Sequence, residues 1–286
     1  ADEIWSHQGE LARTDLSSMD AARFWSKGGR WDGDHGSFAA ESAGVTFGLD
    51  VPLDMGWLGG AFRYEGTDVR GGRHGQADLA TYQAAVFGQT AWAGFDVAAR
   101  AGLSHGRLDV ARSISFAQGS QTFLNSKDYG WGGFAEASIF QTMELGDTRI
   151  MPSLSAGYRG FSFGGAQEAG TVLPLSTPND LYEQAHITAA INLSREFALE
   201  SGVSLIPSLT VGYRHDIIEM THQAGAEVLG TGFTVSGEEI GRDALIGGLK
   251  LAAVSNSGLS VSAAYDFDIR QGSNQHKLTG SLDFRW

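Results

Sequence analysis

Strict apolar–polar alternation, held over runs long enough to cross a bilayer, is what most constrains this chain. The C-terminal run places Leu278, Gly280, Leu282, Phe284 and Trp286 on one face and Lys277, Thr279, Ser281, Asp283 and Arg285 on the other. Leu259, Val261, Ala263, Tyr265, Phe267 and Ile269 alternate in the same way with Ser260, Ser262, Ala264, Asp266, Asp268 and Arg270. A third run sets Val203, Leu205, Leu209, Val211 and Tyr213 against Ser204, Ser208, Thr210 and Arg214, with Ile206 an exception. A period of two puts successive side chains on opposite faces of a sheet. Strands of a soluble sandwich average about 5–6 residues, whereas a tilted strand needs about 9–11 to cross a membrane. The runs here often reach the longer figure. In a barrel of such strands the apolar face meets lipid and the polar face lines a wet lumen.

The connections favour the barrel over the sandwich. Alternation marks about twelve strands, near 22–31, 39–50, 56–66, 77–90, 94–107, 125–141, 148–161, 180–195, 202–216, 236–253, 258–270 and 275–286. Longer connections (32–38, 67–76, 108–124, 162–179, 217–235) take turns with shorter ones (51–55, 91–93, 142–147, 196–201, 254–257), and 271–274 is a short exception. An up-and-down antiparallel barrel with short periplasmic turns and long outer loops gives that asymmetry, and an even strand count returns both barrel ends to one side. The fold expected is therefore an all-β transmembrane barrel in the outer membrane of a Gram-negative bacterium. Tyr158, Tyr213, Trp131 and Trp286 fall near strand ends on the apolar face, where headgroups favour aromatic rings. Pro152–Arg159 (PSLSAGYR) is echoed by Pro207–Arg214 (PSLTVGYR), two strands on. Both open on a proline at a strand start, a place that tolerates it.

Composition agrees. Glycine supplies 40 of 286 residues, about double ordinary usage, which suits tight turns and crowded strand surfaces. No cysteine occurs, which removes disulfides, thiolate metal sites and cysteine nucleophiles. A formal charge of −13 gives no long-range attraction to a phosphate backbone, so nucleic acid is not an expected partner. The start, Ala1-Asp2-Glu3-Ile4, has no basic n-region or apolar core and reads as lacking a signal peptide. Residues 1–21 break the alternation and read as a polar helix or lead-in, separate from a barrel over 22–286. A segment polar nearly all round needs solvent or a polar enclosure. A lumen is such an enclosure.

The polar face supplies the candidate site. Arg63, Arg100, Arg159, Arg214 and Lys250 are candidate lumen cations, and Glu65, Asp96, Glu136, Asp266 and Asp268 candidate lumen acids. Two readings compete. A like-charge acid pair raises a pKa and makes a general base able to activate attack on a segment in the pore. Alternatively the acids and cations form a network that stiffens the wall and positions that segment. Other motifs carry less. Gly102-Leu103-Ser104-His105-Gly106 fits the serine-hydrolase elbow, but the helix that elbow requires is not foreshadowed. The eight histidines are scattered without metal-ligand spacing, His215 and His222 being grouped around one outer loop. Asn192-Leu193-Ser194 falls mid-strand, where a glycosylation acceptor has no use. No metal or cofactor is expected.

The order of these features resembles the translocator domain of autotransporters. The resemblance rests on a polar lead-in, then Ala22-Arg23-Phe24-Trp25-Ser26, then Gly44-Val45-Thr46-Phe47-Gly48-Leu49-Asp50, then strands ending in Phe284-Arg285-Trp286. It spans essentially the whole chain. It implies a twelve-stranded monomeric barrel with an N-terminal helix in the pore. It also implies a passenger exported and anchored at the cell surface by type V secretion. The barrel assembly machinery would take Phe284 and Trp286 as its signal, though Ser281 stands where such signals usually place glycine and Gly280 is its neighbour. Some relatives cut themselves at an Asn-Asn bond in the helix; the first asparagine here is Asn125, so this chain holds no such bond there. Alternatives to an exporter are an outer-membrane phospholipase or protease, or a diffusion channel.

Overall fold

The computed structural model describes residues 22–35, 38–71, 75–115, 121–169, 174–218, 223–228, 230–236 and 240–285. The expected helix in 1–21, Trp286 and His222 lie outside the described residues. Twelve antiparallel strands form the wall: β1 (Arg23–His35), β2 (Phe38–Leu53), β3 (Gly56–Gly71), β4 (Gly75–Trp92), β5 (Phe95–Ser115) and β6 (Gln121–Phe140), then β7 (Thr148–Phe163), β8 (Asp180–Arg195), β9 (Val203–Asp216), β10 (Asp243–Ser255), β11 (Leu259–Arg270) and β12 (Ser273–Arg285). Each pairs with the next, and β12 closes on β1 from Asn274↔Asp34 to Arg285↔Arg23. Closure leaves the wall with no sheet edge and satisfies its backbone polar groups where lipid offers no partner. The expected up-and-down barrel of about twelve strands holds.

Alternation sets the two faces. Phe47, Leu49, Phe62, Leu154, Leu209, Leu249, Leu251, Leu278, Leu282 and Phe284 are exposed outward, toward lipid. Thr46, Ser155, Thr188, Asn192, Ser208, Ser262 and Thr279 are buried on the inner face. Tyr64, Tyr82, His105 and Trp131 are consecutive cross-strand partners on β3 to β6 and form an outer aromatic row. Tyr64 and Tyr82 rings lie 5.2 Å apart, and His105 and Trp131 rings 4.5 Å apart. Tyr158 and Tyr213 are outward too and donate their hydroxyls to Glu183 and Asp243. These rings mark the headgroup level.

Strand tilt is visible in a single row. Arg23 at the periplasmic end of β1 is opposite Asp50. The row then runs through Gly59, Phe87, Arg100, Glu136, Gly157 and His186 to Asp216 at the outer end of β9. A cross-strand row that climbs from one rim to the other is the stagger that barrel closure requires. The turn Ala93-Gly94 shows the periplasmic chemistry: φ is 51° at Ala93 and 85° at Gly94, as a two-residue turn matched to strand twist needs.

Several strand limits differ from the sequence reading. β5 continues to Ser115 and β6 begins by Gln121, so most of the expected 108–124 connection is strand. Above the aromatic row the outward face meets water, the apolar alternation fades, and backbone pairing alone continues the ladder. The tenth strand begins at Asp243, not near 236. Thr231–Ser236 pairs instead with Gln223–Val228 as a hairpin. That hairpin joins Leu175–Thr177 and Ala166–Gln167 in a separate four-stranded sheet built from two outer loops. Much of the connection expected over 217–235 is therefore strand, but it belongs to a sheet other than the wall.

Candidate functional site: the lumen and its outer mouth

The lumen-facing residues of each strand follow from parity, and their neighbours follow from the stagger. On β5 and β6, Arg100 donates through Nη2 to Glu136 at 2.5 Å, with His186 Nε2 4.0 Å from the same carboxylate. On β3, Arg63 reaches Glu65 at 2.9 Å, and Ser42 donates to the other Glu65 oxygen. On β9 to β11, Arg214 reaches Asp268 at 3.2 Å, and Arg270 binds Asp268 at 2.7 Å and Asp216 at 2.5 Å. Asp96, at the periplasmic end of β5, accepts from Gln89 Nε2 at 3.3 Å. Asp266 faces the same cavity of about 300 Å³ as Lys250, Arg214 and Lys277. Its carboxylate sits over Gly248, where a Cβ would stand 2.3 Å from Oδ1. Arg159 faces inward on β7 near the mouth and is solvent-exposed.

All ten candidate lumen residues therefore face inward, and three of the acids are held by arginines. Glu65, Glu136 and Asp268 each have an arginine within hydrogen-bonding reach, the arrangement of a network of paired charges along the wall. The Gly102–Gly106 motif is split by the pleat. Ser104 is buried inside, while His105 joins the outer aromatic row, so serine and histidine cannot act together. His215 pairs with Asp243 at 2.7 Å on the outward side. Asn192 faces the lumen and donates to Thr210 at 2.7 Å. Among the described residues no cluster of three or more His, Cys, Asp or Glu could hold a metal.

Other functional candidates were missed. Arg23 and Asp283 join the first strand to the last at 2.6 Å, both nearly buried. Parity marks them as inward, but only closure makes them neighbours. Trp25, Trp57 and Phe87 form an aromatic cluster on the inner wall, with Trp57 and Phe87 centroids 5.5 Å apart. Trp25 donates its indole N–H to Asp50 at 3.1 Å. Two glycines make room: a Cβ at Gly48 would lie 2.2 Å from the Trp25 ring, and one at Gly59 2.4 Å from Phe87. A large apolar ring on a face that is polar elsewhere breaks the alternation, and that break was the available signal.

At the mouth, the loop after β7 is tied to the wall. Arg112 forks onto Glu168 at 2.5 and 2.6 Å, and Glu168 also accepts the Leu175 N–H at 2.7 Å. Burial pushes the Glu168 carboxyl up, but the Arg112 hydrogen bond, the Leu175 N–H and the Arg112 charge outweigh it and hold it below its ordinary value. Asp128 accepts from Gly164 and Gly165 N–H at 3.2 and 3.1 Å. Ala169 donates to the Asn125 carbonyl at 2.8 Å, so one margin of the outer sheet is fastened to β6.

A closed barrel with a lipid-facing apolar belt and a charged lumen defines the class, an outer-membrane β-barrel. Within that class, the autotransporter beta-domain family matches residues 22–266, and the chain belongs to it. It is an outer-membrane translocator for a passenger domain. The fold is similar to that of the translocator domain of the autotransporter NalP from Neisseria meningitidis, with a TM-score of 0.71 at 13% identity, covering 100% of this chain and 98% of that one. The beta domain of the Bordetella autotransporter BrkA gives 0.68 at 15%, over 93% and 100%. The Pseudomonas putida toluene transporter TodX gives 0.54 at 11%, over 95% and 91%. No curated protein sequence matches the chain.

Proposed function

We propose that this domain exports its passenger as a passive conduit, that residues 1–21 thread the lumen, and that the inward charges hold that segment rather than cut it. The observation that carries this reading is the pairing of Glu65, Glu136 and Asp268 with arginines of the wall. Such carboxylates, held by arginines, are hydrogen-bond acceptors for a polar segment in the lumen. Acting as a monomer fits a wall without edges, and Phe284, exposed on the outward face near the closing seam, suits a contact with the assembly machinery.

Conductance in planar bilayers tests the threading. Removal of residues 1–21 raises single-channel conductance, and an unchanged value sinks that part of the reading. Replacing Glu65, Asp96, Glu136, Asp266 and Asp268 singly by their amides leaves passenger release from the surface unchanged. Loss of release in any one of them would reinstate catalysis.

A further inference from the structure

β5 and β6 are the longest strands of the wall, with 21 and 20 residues, and both continue past the aromatic row. Three successive cross-strand pairs lie on their outward face: His105 opposite Trp131, Arg107 opposite Tyr129, and Asp109 opposite Lys127. Each outward step along a strand is about 6.6 Å. From the rings the patch therefore runs on for about 13 Å, into the polar layer outside the hydrocarbon.

Trp131 is 66% exposed and Tyr129 55%, large areas of ring to turn outward. His105 supports both, its ring 4.5 Å from that of Trp131 and stacked on that of Tyr129 at 6.3 Å. Elsewhere on the outward face Tyr158, Tyr213 and Tyr265 engage their hydroxyls with Glu183, Asp243 and His276. The Tyr129 hydroxyl and the Trp131 indole N–H have no such partner among the described residues. Arg107 Nη2 and Lys127 Nζ flank Asp109 at 2.8 and 3.7 Å. The acid holds the two cations side by side and leaves a net positive charge on the pair of strands. Asp78 faces Asp109 from β4, which turns an approaching anion toward the Tyr129 and Lys127 side.

Two cations beside two open rings match a phosphorylated sugar. Phosphate oxygens accept from the guanidinium and the ammonium. The C–H face of a sugar carries partial positive charge and stacks on the negative face of an aromatic ring, and sugar hydroxyls meet the free Tyr129 and Trp131 groups. A glycerophospholipid head offers the phosphate without the ring. The patch adjoins the lipid-facing wall at the level where head groups begin, so acyl chains bring the ligand to it. We infer that His105, Arg107, Lys127, Tyr129 and Trp131 bind the head of a phosphorylated saccharolipid in the outer leaflet. This is a binding site on the outside of the wall, beyond the translocator function.

The full chain, folded and held in mild detergent, is tested by native mass spectrometry with four probes. They are an acylated disaccharide lipid bearing phosphates, the same lipid with its phosphates removed, phosphatidylglycerol, and inorganic phosphate. The parent retains the phosphorylated saccharolipid in preference to the other three. Arg107→Ala combined with Lys127→Ala weakens retention by about tenfold. Trp131→Ala weakens it by roughly three- to tenfold, and Trp131→Tyr, which keeps a ring to stack on, restores it. Tyr265→Ala, on the opposite flank of the barrel, binds like the parent. Heat-modifiable gel mobility reports that each variant is folded, and Lys127→Gln alone repeats the test if the double variant is not. Equal retention of phosphatidylglycerol or of the dephosphorylated lipid overturns the inference, as does parent-like binding by the folded double variant. Displacement of the saccharolipid by inorganic phosphate at the same concentration assigns the patch to a free anion and overturns it too. So does a cross-linked second copy that Trp131→Ala abolishes while lipid retention stays at the parent level.

Discussion

The two sides of the barrel are built to different heights. β4, β5 and β6 have 18, 21 and 20 residues, whereas β10, β11 and β12 have 13, 12 and 13. On the short side the outer rings Tyr265 and His276, joined by a 2.8 Å hydrogen bond, lie near the strand ends. On the tall side the ladder continues well past Tyr82, His105 and Trp131. There the outward residues become Glu41, Asp68, Asp78, Asp109 and Lys127, consecutive cross-strand partners. Below the rings the outward face is apolar on both sides, with Ala99, Ala101, Ala135 and Ala137 on one and Leu251, Val261, Leu278 and Leu282 on the other. The membrane therefore dictates side-chain polarity only within its own thickness, and backbone pairing decides where a strand ends.

The largest contrast should come from charge removal. Arg270→Met on the short side leaves Asp216 and Asp268 without their shared cation. It should cost about 3–5 kcal/mol, as loss of one partner from a buried pair does, read from denaturant unfolding in lipid vesicles. Arg107→Ala breaks the 2.8 Å pair with Asp109 on the tall side, where both groups are solvated. Its unfolding midpoint should not move. Equal effects would remove the distinction between lumen and surface charges.

A second pair locates the membrane boundary. Leu251→Arg puts a charge on the lipid face of β10 and should destabilise by about 2–4 kcal/mol. Ala111→Arg lies outward on β5 above the aromatic row and should leave stability within about 0.5 kcal/mol. A large penalty at residue 111 would mean that lipid reaches higher than the rings indicate.

The third pair asks whether the inner and outer faces of the seam are packed alike. Gly48→Ala drives a methyl into the Trp25 ring, 2.2 Å from its ideal position, and should cost about 1–3 kcal/mol. Gly28→Ala on the outward face meets its nearest atom at 3.9 Å and should be neutral.

The smallest effect concerns the mouth. Because the Glu168 carboxyl is held below its ordinary value, its tether to Arg112 is complete above the ordinary carboxylate range. It is lost as pH falls through the depressed value. Hydrogen exchange in 164–169 should accelerate on acidification, at a pH that Arg112→Gln moves upward, while β7 remains protected. No shift with Arg112→Gln would show that the tether does not set the loop's stability.

Much of this was legible in the residues, for particular reasons. The inward placement of Arg63, Arg100, Arg159, Arg214 and Lys250 was readable because parity is a local property of a strand. The upper halves of β5 and β6 were not, because outside lipid the outward face lost its apolar signature. The tenth strand starts at Asp243 rather than near 236, and Thr231–Ser236, which falls almost wholly in the expected 217–235 connection, is a strand of another sheet. Gly102–Gly106 matches an elbow in spelling only, since adjacent residues of a strand face opposite ways and Ser104 is buried inside while His105 faces outward.

By itself the sequence determined that strands alternate between lipid and lumen, how many there are, and that they return to the side they left. Lipid is a uniform solvent, so one residue's position in a period of two suffices to choose its face. Only the tertiary structure decided that Arg23 meets Asp283, that Arg270 bridges Asp216 and Asp268, and that two outer loops share one four-stranded sheet. Those neighbours depend on the stagger and closure of the whole wall, and no local pattern encodes how far one strand slides against the next.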